Sequence, residues 1–335
     1  MNIHLNLGER SYDIVMEQGC LKKAGELLNL NRKVLIVTDS GVPETFADIL
    51  MPQCKAPVIV RVESGEKSKS LETYGELQQV LSDHRFSRKD CVVALGGGVV
   101  GDLAGFVAAT YMRGIDFYNI PTTVLSQVDS SIGGKTAINL GGIKNIVGAF
   151  YQPRRVLIDT TTLTTLPPRQ ISNGLAEALK MSMTFDRDLF ELFEKEDPTK
   201  HLDEIICRSV QLKQHVVEED EKEAGLRKVL NFGHTIGHGI ESYENLNGLY
   251  HGECVSLGMI CMSSPAVRER LIPVLGKLNL PTALDFDTER VYDALSHDKK
   301  ADGATVSAVY VNEIGSFEVR DVPLESLRER IAVLK

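Results

Sequence analysis

Continuous runs of apolar residues recur through the first half of the chain, with helical spacing between them. Residues 33–38 and 91–95 are largely apolar and run into Asp39 or into glycines, as strands of a buried parallel sheet do at their carboxyl ends. Residues 70–84 instead carry apolar side chains every third or fourth position, which predicts a helix. Strands that alternate with helices predict an open, mainly parallel α/β sheet of the Rossmann type. Further strands are predicted at 58–62, 117–120 and 156–159.

The pattern changes at Pro167 and Pro168, beyond which strand signals nearly vanish. We therefore predict two domains, an α/β domain over residues 1–165 and a mostly α-helical domain over residues 166–335. The helices predicted in the second domain span residues 170–184, 188–195, 202–219, 233–244 and 253–270. A hairpin is predicted around Gly315, from residues 306–311 and 316–320, and an edge strand within residues 1–10.

The composition narrows the classes of function. The 335 residues carry a net charge of −9, which disfavours nucleic acid as the main partner but leaves room for a local basic pocket that binds a small anion. The six cysteines form no Cys-x-x-Cys pair, as expected for thiols in a reducing compartment. Residues 1–10 lack a signal-peptide core, and the most apolar window, 91–111, contains several glycines and Asp102, which does not suit a membrane span. These features predict a cytoplasmic protein.

A glycine-rich segment follows the strand predicted at 91–95. Residues 96–101, Gly-Gly-Gly-Val-Val-Gly, fit the pattern G-x-G-x-x-G between a strand and a helix. This context favours a phosphate cradle, because glycines let backbone N–H groups approach a pyrophosphate at a helix N-terminus. The acidic residue that usually ends the next strand is missing, since Asp116 stands before its predicted strand. A tight structural turn is the alternative interpretation.

A second glycine-rich segment, Ser-Ile-Gly-Gly-Lys-Thr at 131–136, ends like a P-loop. Asp129 stands where that motif needs its first glycine, which excludes a nucleotide triphosphatase loop. We interpret the segment as a loop that presents Lys135 to another anion. Lys144 and Asn145 follow two glycines and add a second lysine nearby in the sequence.

Histidines cluster in the second half of the chain. His234 and His238 are four residues apart, so on a helix they share one face, and His251 follows. Together with Glu177 they are the best candidates for a metal site, because zinc accepts these ligand types and three protein ligands leave a position for a substrate oxygen. Thr235 occupies the glutamate position of the H-E-x-x-H signature, so a protease of that type is excluded. Structural histidines are the alternative.

Cationic residues accompany these histidines. Lys180 lies three residues after Glu177, and Lys213, Arg227 and Asn231 precede His234. These residues could simply form a solvent-exposed face, on which Glu177 and Lys180 would make a surface ion pair. Beside a metal site they would bind a carboxylate or a phosphate, which arginine can do with two parallel hydrogen bonds.

Several ordered motifs between residues 39 and 300 carry a resemblance to a known family. They are GGGVVGDLAG at 96–105, YMRG at 111–114, PTTVLSQVDSSIGGKT at 121–136, KNIVGAF at 144–150, LPPR with GLAE at 166–177, and LNFGHTIGH at 230–238. In these motifs the chain resembles the 3-dehydroquinate synthase family of the sugar-phosphate cyclase superfamily. The resemblance implies a dehydroquinate synthase-like fold, with a Rossmann-like α/β domain followed by a mostly helical one.

The resemblance also implies roles for individual residues. Glu177, His234 and His251 match the ligands of a divalent metal, normally Zn²⁺, with Co²⁺ possible. The positions that match the NAD site are Asp39, Glu66, Lys69, Gly98, Val99, Gly101, Asp102, Thr122, Thr123, Asp129, Lys135, Lys144, Thr162 and Thr165. The positions that match the substrate site are Lys135, Asn145, Lys180, Lys213, Arg227, Asn231 and His238, with either Lys299 or Lys300.

The family's reaction belongs to the shikimate pathway of aromatic amino acid biosynthesis. In it NAD⁺ oxidises a hydroxyl of 3-deoxy-D-arabino-heptulosonate 7-phosphate, phosphate leaves, NADH reduces the ketone again, and ring opening with an intramolecular aldol step gives 3-dehydroquinate. Arg113 resembles an arginine that reaches the substrate phosphate across a dimer interface, which implies a homodimer. The alternatives are another sugar-phosphate cyclase, such as a 2-deoxy-scyllo-inosose or valiolone-type synthase, a related metal-dependent polyol dehydrogenase, and a binding protein without activity.

Two positions depart from the family's pattern. Ser64 stands where the family usually has aspartate, and little effect is expected because Glu66 and Lys69 remain. Pro265 lies in what is usually an uninterrupted helix, and proline would break or kink the helix there.

Overall fold

The structure is a computed structural model that describes residues 1–243, 248–285, 288–299 and 305–334. The chain forms two compact units. The first comprises Met1–Leu166 together with Lys213–Glu221, and the second comprises Pro167–Leu212 and the described residues from Lys222 onward. A short segment from the later part of the sequence therefore groups with the N-terminal unit.

The first unit is built on a sheet of mainly parallel strands. Its strands are β1 (Asn2–Leu5), β2 (Tyr12–Met16), β3 (Lys33–Asp39), β4 (Ala56–Val62), β5 (Cys91–Gly96), β6 (Asp116–Pro121), β7 (Lys135–Leu140), β8 (Ile143–Phe150) and β9 (Arg155–Ile158). The seven-stranded sheet has the order β1-β2-β9-β6-β5-β3-β4. Every pair in it is parallel except the edge pair β1–β2. The predicted fold class and strands are confirmed.

Both faces of the central strands are covered. Along β3, Leu35 and Val37 belong to one apolar core, whereas Val34 and Ile36 belong to the core on the opposite face. Burial on both faces is the reason that these strands read as continuous apolar runs and not as alternating ones. The helices of this unit are α1 (Ala24–Leu27), α2 (Glu44–Leu50), α3 (Leu71–Asp83) and α4 (Gly98–Thr110).

The segment after α4 differs from the prediction. Residues 131–136 were expected to form a loop, but Lys135 is the first residue of β7, which pairs antiparallel with β8. Leu140 and Ile143 are partners, so Gly141 and Gly142 form a two-residue turn with φ of +61° and +80°. Two glycines between alternating runs are a hairpin signal that the sequence analysis missed.

The second unit is mostly helical. Its helices are α5 (Pro168–Phe185), α6 (Arg187–Lys195), α7 (Leu202–Glu219), α8 (His234–Tyr243), α9 (His251–Met262), α10 (Pro265–Lys277), α11 (Thr288–Lys299) and α12 (Leu327–Ile331). The residues of α7 from Lys213 onward group with the first unit. The hairpin β10 (Thr305–Tyr310) and β11 (Glu318–Pro323) confirms the predicted one. Helix α11 was not predicted, and residue 244 of the predicted helix 233–244 lies outside the described residues.

The predicted break at Pro265 is confirmed, and the single helix expected over 253–270 is two helices. Helix α9 ends at Met262, and Ser263 pairs with Val311 in an isolated bridge. The Ser264 hydroxyl then accepts a hydrogen bond from the Val267 amide and caps α10. Pro265 is the first residue of α10, where its missing N–H has no helical partner to lose. No helix in the described part of the chain is long and apolar enough to cross a membrane.

Candidate metal centre and dinucleotide-binding edge

Three helices of the second unit bring Glu177, His234 and His251 together. The carboxylate oxygen Oε1 of Glu177, on α5, lies 3.6 Å from His234 Nε2 and 3.4 Å from His251 Nε2. One ligand atom from each residue lies within 4.8 Å of the other two. This arrangement can surround a single cation, and its donor set is one that Zn²⁺ accepts.

Glycines let these helices approach so closely. A Cβ atom added to Gly258 of α9 would lie 1.9 Å from the carbonyl oxygen of Gly233, which precedes α8. A Cβ on Gly252, in the first turn of α9, would lie 2.1 Å from the carbonyl oxygen of Asn173 on α5. The Asn173 side chain also accepts a hydrogen bond of 2.6 Å from the Gly252 amide. The first turn of α9, which carries His251, is therefore fixed against α5.

The Nδ1 atoms of His234 and His251, which face away from Glu177, each have a hydrogen-bond partner. His234 Nδ1 lies 3.1 Å from the carbonyl oxygen of Phe232, which can only accept a hydrogen bond. His251 Nδ1 lies 3.3 Å from Glu241 Oε2. Both contacts place a proton on Nδ1 and direct Nε2 towards Glu177, which is the orientation found in metal-bound histidines.

Glu177 has the surroundings expected of a metal ligand. Its side chain is 1% exposed, and its oxygen Oε1 accepts no hydrogen bond from the described residues. Oε2 lies 2.5 Å from Lys180 Nζ, whereas Oε1 faces the two imidazoles. A buried carboxylate oxygen without a donor is costly unless a cation neutralises it. The residues present therefore fit a divalent metal.

The charges around this cluster act in different directions. Burial and the Lys180 ammonium hold the pKa of His234 well below its usual range, so its imidazole is neutral. Burial alone would raise the pKa of Glu177, but Lys180 and the imidazoles lower it well below its usual range. Burial lowers the pKa of His251, but the carboxylates of Glu177 and Glu241 outweigh it and raise that pKa to about 10. A cation that binds there displaces this proton.

The substrate residues expected in this unit lie in and near the cluster. The ring of His238 is centred 5.2 Å from that of His234 and 5.9 Å from that of His251. Lys180 is 2% exposed, so the alternative of a surface ion pair with Glu177 is wrong. Arg227 is buried in the turn before α8.

The remaining substrate positions of the second unit are Asn231, Lys299 and Lys300. The Asn231 amide donates to Glu223 Oε1 at 2.7 Å. Lys299 is the last residue of α11, and its side chain is outside the described part of the structure. Lys300 lies outside the described residues altogether, so the choice between these two lysines stays open.

The glycine-rich segment of the first unit lies where the sheet connections diverge. β3 leads to β4 on one side, and β5 leads through α4 to β6 on the other, so the switch point falls between β3 and β5. Helix α4 begins at Gly98, directly after β5. A Cβ on Gly101 would lie 3.1 Å from the Asn119 side chain, so this glycine lets α4 pack closely on β6. Free amides at this helix start can bind a pyrophosphate.

An acidic residue does lie beside the glycine turn, but it ends β3 and not the strand that follows the turn. The neighbour of β5 in the sheet is β3, which precedes it in the sequence and ends at Asp39. One Asp39 oxygen accepts a hydrogen bond of 2.7 Å from the Gly41 amide, and burial raises the pKa of this carboxyl. Asp116 is the first residue of β6, not a residue before it, and pairs with Arg32 at 2.7 Å. The acidic residue beside the glycine turn is therefore Asp39.

Lys69 contacts three other expected site residues. Its buried Nζ lies 2.7 Å from Asp102 Oδ2 and 3.5 Å from Glu66 Oε1, and it donates to Asn145 Oδ1. Burial opposes the charge of Lys69, but Asp102 and Glu66 outweigh it and raise its pKa. Asn145, expected at the substrate site, thus contacts a residue expected at the NAD site.

A second group lies around the turn after β6. Asp129 belongs to a π-helical turn, Ser126–Ser130, and its carboxylate lies 2.6 Å from Lys213 Nζ. Lys213, expected to bind substrate, thus pairs with a residue of the expected NAD site. Gln127 is fully buried and donates to the hydroxyl of Thr162 at 3.3 Å. The other expected threonines of this region are Thr122 and Thr123, after β6, and Thr165, in the turn Thr160–Thr165.

Lys135, Lys144 and Arg113 are exposed. The two lysines lie on β7 and β8, and Val99 lies in the first turn of α4. Arg113 ends the turn Tyr111–Arg113 with φ of +70°, an uncommon backbone conformation for a residue other than glycine.

Comparison with known proteins identifies the family. The family model for the N-terminal part of 3-dehydroquinate synthase matches residues 59–173, and the model for its C-terminal part matches residues 174–301. A curated 3-dehydroquinate synthase of Enterococcus faecalis strain OG1RF is 42% identical over 349 aligned positions, which cover 98% of both chains.

The chain belongs to the 3-dehydroquinate synthase family.

Solved structures of related cyclases share its fold. A 2-deoxy-scyllo-inosose synthase complexed with carbaglucose-6-phosphate, NAD⁺ and Co²⁺ is 26% identical, with a TM-score of 0.89 and coverage of 99% of both chains. A 2-epi-5-epi-valiolone synthase from Streptomyces hygroscopicus subsp. jinggangensis 5008, with NAD⁺ and Zn²⁺ bound, is also 26% identical, with a TM-score of 0.88 and coverage of 98% of both chains. The expected dehydroquinate synthase-like fold is confirmed.

Some residues of this 3-dehydroquinate synthase-family centre escaped the sequence analysis. Glu241, Asn173 and Gly258 contact or position the candidate metal ligands, yet none of the three was predicted to take part in the site. Glu241 follows His234 by seven residues, two turns of helix, and this spacing was a usable signal. Asn173 and Gly258 act through contacts between distant segments, which no local pattern reveals.

Proposed function

We propose that this protein catalyses the 3-dehydroquinate synthase reaction of aromatic amino acid biosynthesis. It eliminates phosphate from 3-deoxy-D-arabino-heptulosonate 7-phosphate and closes the carbocycle to 3-dehydroquinate. NAD and a divalent metal, Zn²⁺ or Co²⁺, are its cofactors. The observation that carries the proposal is the buried Glu177 carboxylate that faces two imidazoles, in a chain 42% identical to an enterococcal 3-dehydroquinate synthase.

The metal ligands are Glu177 through Oε1 and His234 and His251 through their Nε2 atoms. Lys180 holds the other oxygen of Glu177 and so favours binding through a single oxygen. When bound, the metal lowers the pKa of a substrate hydroxyl and polarises a ketone, and NAD accepts and returns a hydride. His238, whose ring is close to the rings of His234 and His251, would donate a hydrogen bond to a substrate oxygen.

The dinucleotide site is the carboxyl edge of β3 and β5, so residues 1–165 form the NAD-binding domain. The first amides of α4 hold the pyrophosphate, and Asp39 accepts hydrogen bonds from ribose hydroxyls. The ion pair of Lys69 with Asp102 ties the turn after β4 to α4 and shapes the wall of this site. Residues 166–335 form the metal- and substrate-binding domain.

The substrate is a dianionic or trianionic molecule, and the charges of the proposed site residues suit it. Lys180 and Arg227 are almost fully buried cations, and desolvated cations bind a carboxylate or phosphate more strongly than exposed ones do. Lys135 and Asn145 complete the polar set in the first domain. One substrate passes through several steps, so these residues contribute orientation above all.

A homodimer in the cytoplasm is the proposed functional state. The hairpin β7–β8 exposes large apolar side chains, namely Leu140, Ile143, Ile146 and Phe150, and Ile146 is 58% exposed. A second copy of the chain would cover this apolar patch. Arg113, exposed at the turn after α4, then reaches the substrate phosphate of the partner subunit.

The decisive assay is phosphate release from 3-deoxy-D-arabino-heptulosonate 7-phosphate with Zn²⁺ and substoichiometric NAD⁺. Many turnovers without lasting NADH absorbance are expected. His251→Ala should abolish turnover, whereas His215→Ala, at an exposed position of α7, should not. If phosphate were released from glucose 6-phosphate and not from 3-deoxy-D-arabino-heptulosonate 7-phosphate, the protein would be another cyclase. Steady NADH production from a polyol would support a dehydrogenase.

Subunit mixing tests the role of Arg113. Arg113→Ala is expected chiefly to weaken substrate binding, so it should be inactive at low substrate concentration, and His238→Ala is expected to be inactive. In a mixed dimer, the metal site of the Arg113→Ala subunit receives an intact arginine from its partner, so activity should return to about a quarter of the wild-type level for random mixing. No recovery from mixtures shown to exchange subunits would contradict the cross-subunit role.

A further inference from the structure

The ring of His251 lies between two carboxylates. Its Nε2 is 3.4 Å from Glu177 Oε1, and its Nδ1 is 3.3 Å from Glu241 Oε2. An imidazole has one nitrogen for a metal and one for a hydrogen bond, and the hydrogen bond decides which nitrogen carries the proton. Glu241 therefore holds the side of the ring that faces away from Glu177.

Glu241 lies on the same helical face as two other residues of the centre. His234, His238 and Glu241 are separated by four and three residues on α8, so their side chains point the same way. α8 thus supplies one expected ligand directly and the partner of another. The glycine contact between Gly258 and Gly233 fixes α9 against the start of α8, which keeps His251 within reach of Glu241.

His251 needs this partner more than His234 does. The His234 side chain is 13% exposed and is held by the carbonyl oxygen of Phe232, a rigid backbone group. The His251 side chain is 30% exposed and follows the N-cap residue of α9. A more exposed imidazole has more room to rotate, and a carboxylate partner both orients it and increases its basicity as a ligand.

Another arrangement places Glu241 in the metal's own coordination. His238, Glu241 and His251 also have ligand atoms within 4.8 Å of one another. His238 is exposed, however, whereas in the group of Glu177, His234 and His251 the carboxylate is 1% exposed and its oxygen Oε1 accepts no hydrogen bond from the described residues. The buried group is the better cation site, which leaves Glu241 outside it.

We propose that Glu241 is a positioning residue that accepts the Nδ1 hydrogen of His251 and aims Nε2 at the metal. The inference rests on the proposed metal site, and it adds a residue that acts on the metal only through a ligand. Loss of the carboxylate should therefore weaken metal binding without removing a ligand.

The test compares Glu241→Ala, Glu241→Gln and a control, Ser242→Ala, at an exposed position one residue further along α8. Zinc affinity is measured by competition with a chromophoric chelator, and coordination by the visible absorption spectrum of the Co²⁺-loaded protein. The alanine variant should lose about 10- to 100-fold in zinc affinity, as other variants of such partners do. The glutamine variant should lose less, because its amide oxygen still accepts the hydrogen bond. The control should match the wild type.

The outcomes separate this inference from the proposed function. If the wild-type protein binds no zinc, the metal site itself is refuted. If it binds one equivalent and both Glu241 variants bind it as tightly, with unchanged Co²⁺ spectra, only the positioning role is refuted. If it binds two equivalents and Glu241→Ala loses one of them entirely, Glu241 is a ligand of a second cation and the inference is wrong.

Discussion

Gly258→Ala tests whether the close packing of α8 and α9 builds the metal centre. The new methyl carbon would lie 1.9 Å from the carbonyl oxygen of Gly233 and 2.9 Å from the amide nitrogen of Gly237. Real Cβ contacts below 3.0 Å are essentially never seen, so the backbones must separate by at least 1.1 Å along this contact. The obstacles are backbone atoms, which no side-chain rotation can move aside.

That displacement is large on the scale of metal coordination. Ligand distances in a metal site hold to within about 0.2 Å, so a shift of 1 Å moves His234 or His251 out of reach of a shared cation. Overpacking of this kind costs about 1–3 kcal/mol of unfolding free energy. We expect the variant to fold with a lowered Tm and to lose at least about 100-fold in zinc affinity, since a ligand is displaced and not merely its partner.

The assay is chelator competition for zinc, with circular dichroism and thermal unfolding to verify the fold. Gly276→Ala is the matched control, because it also replaces a helical glycine but a Cβ there meets nothing within 4 Å. Gly237→Ala supplies an intermediate case, since its Cβ would lie 3.1 Å from the carbonyl oxygen of Cys254 and needs only a small adjustment. A folded Gly258→Ala protein with wild-type zinc affinity would refute the packing argument.

Two further substitutions probe other parts of the structure. Asn173→Ala leaves the buried amide of Gly252 without its hydrogen-bond acceptor. We therefore expect the free energy of unfolding to fall by about 1–3 kcal/mol and zinc binding to weaken roughly tenfold. Unchanged zinc binding would contradict the role of Asn173. At Asp90, burial acts to raise the pKa, but hydrogen bonds from Ser87 and Lys33 lower it below its usual value. The ionised Asp90 carboxylate therefore stabilises the folded protein above the unfolded-state pKa of about 4, and this stabilisation is lost as the pH falls through the folded-state pKa. Asp90→Asn should therefore cost about 1 kcal/mol at pH 7, measured by urea unfolding, and a difference that does not shrink below pH 4 would contradict this.

The sheet was predictable because its signals are local. A strand covered on both faces has apolar side chains at nearly every position, so the apolar runs at residues 33–38 and 91–95 are enough to predict buried strands. The turn that opens α4 is equally local, since its glycines follow β5 without interruption. These elements were predicted close to their observed bounds.

The position of Asp39 shows where local reasoning stops. Its strand precedes β5 in the sequence, whereas the usual dinucleotide-binding pattern has its acidic residue at the end of the strand that follows. Which strand neighbours β5 depends on the order of the sheet, and short patterns do not encode that order. The hairpin β7–β8 is a different case, because its two-glycine turn is a local signal from which no hairpin was predicted.

The proposed metal centre depends on long-range packing to an even greater degree. The types of its ligands are visible in the sequence, but Glu177 and the histidines lie far apart along the chain. Their convergence is set by Gly233, Gly252 and Gly258, which look ordinary in the sequence because a glycine at a helix crossing has no distinctive neighbours. The residue types indicated the candidate ligands and the resemblance to a family selected three of them, but neither gives the reason that they meet.

Helix α5 holds the residues of the proposed metal centre in place through contacts within the protein. Asn173 and Glu177 are four residues apart and share one face of this helix. The first binds the Gly252 amide and the second faces the imidazole of His251, so two successive turns of α5 fix the first turn of α9. A ligand set held by protein contacts does not have to be ordered when the cation binds, and that lowers the entropic cost of binding. Substitutions along this face of α5 should therefore change metal affinity even where they touch no ligand.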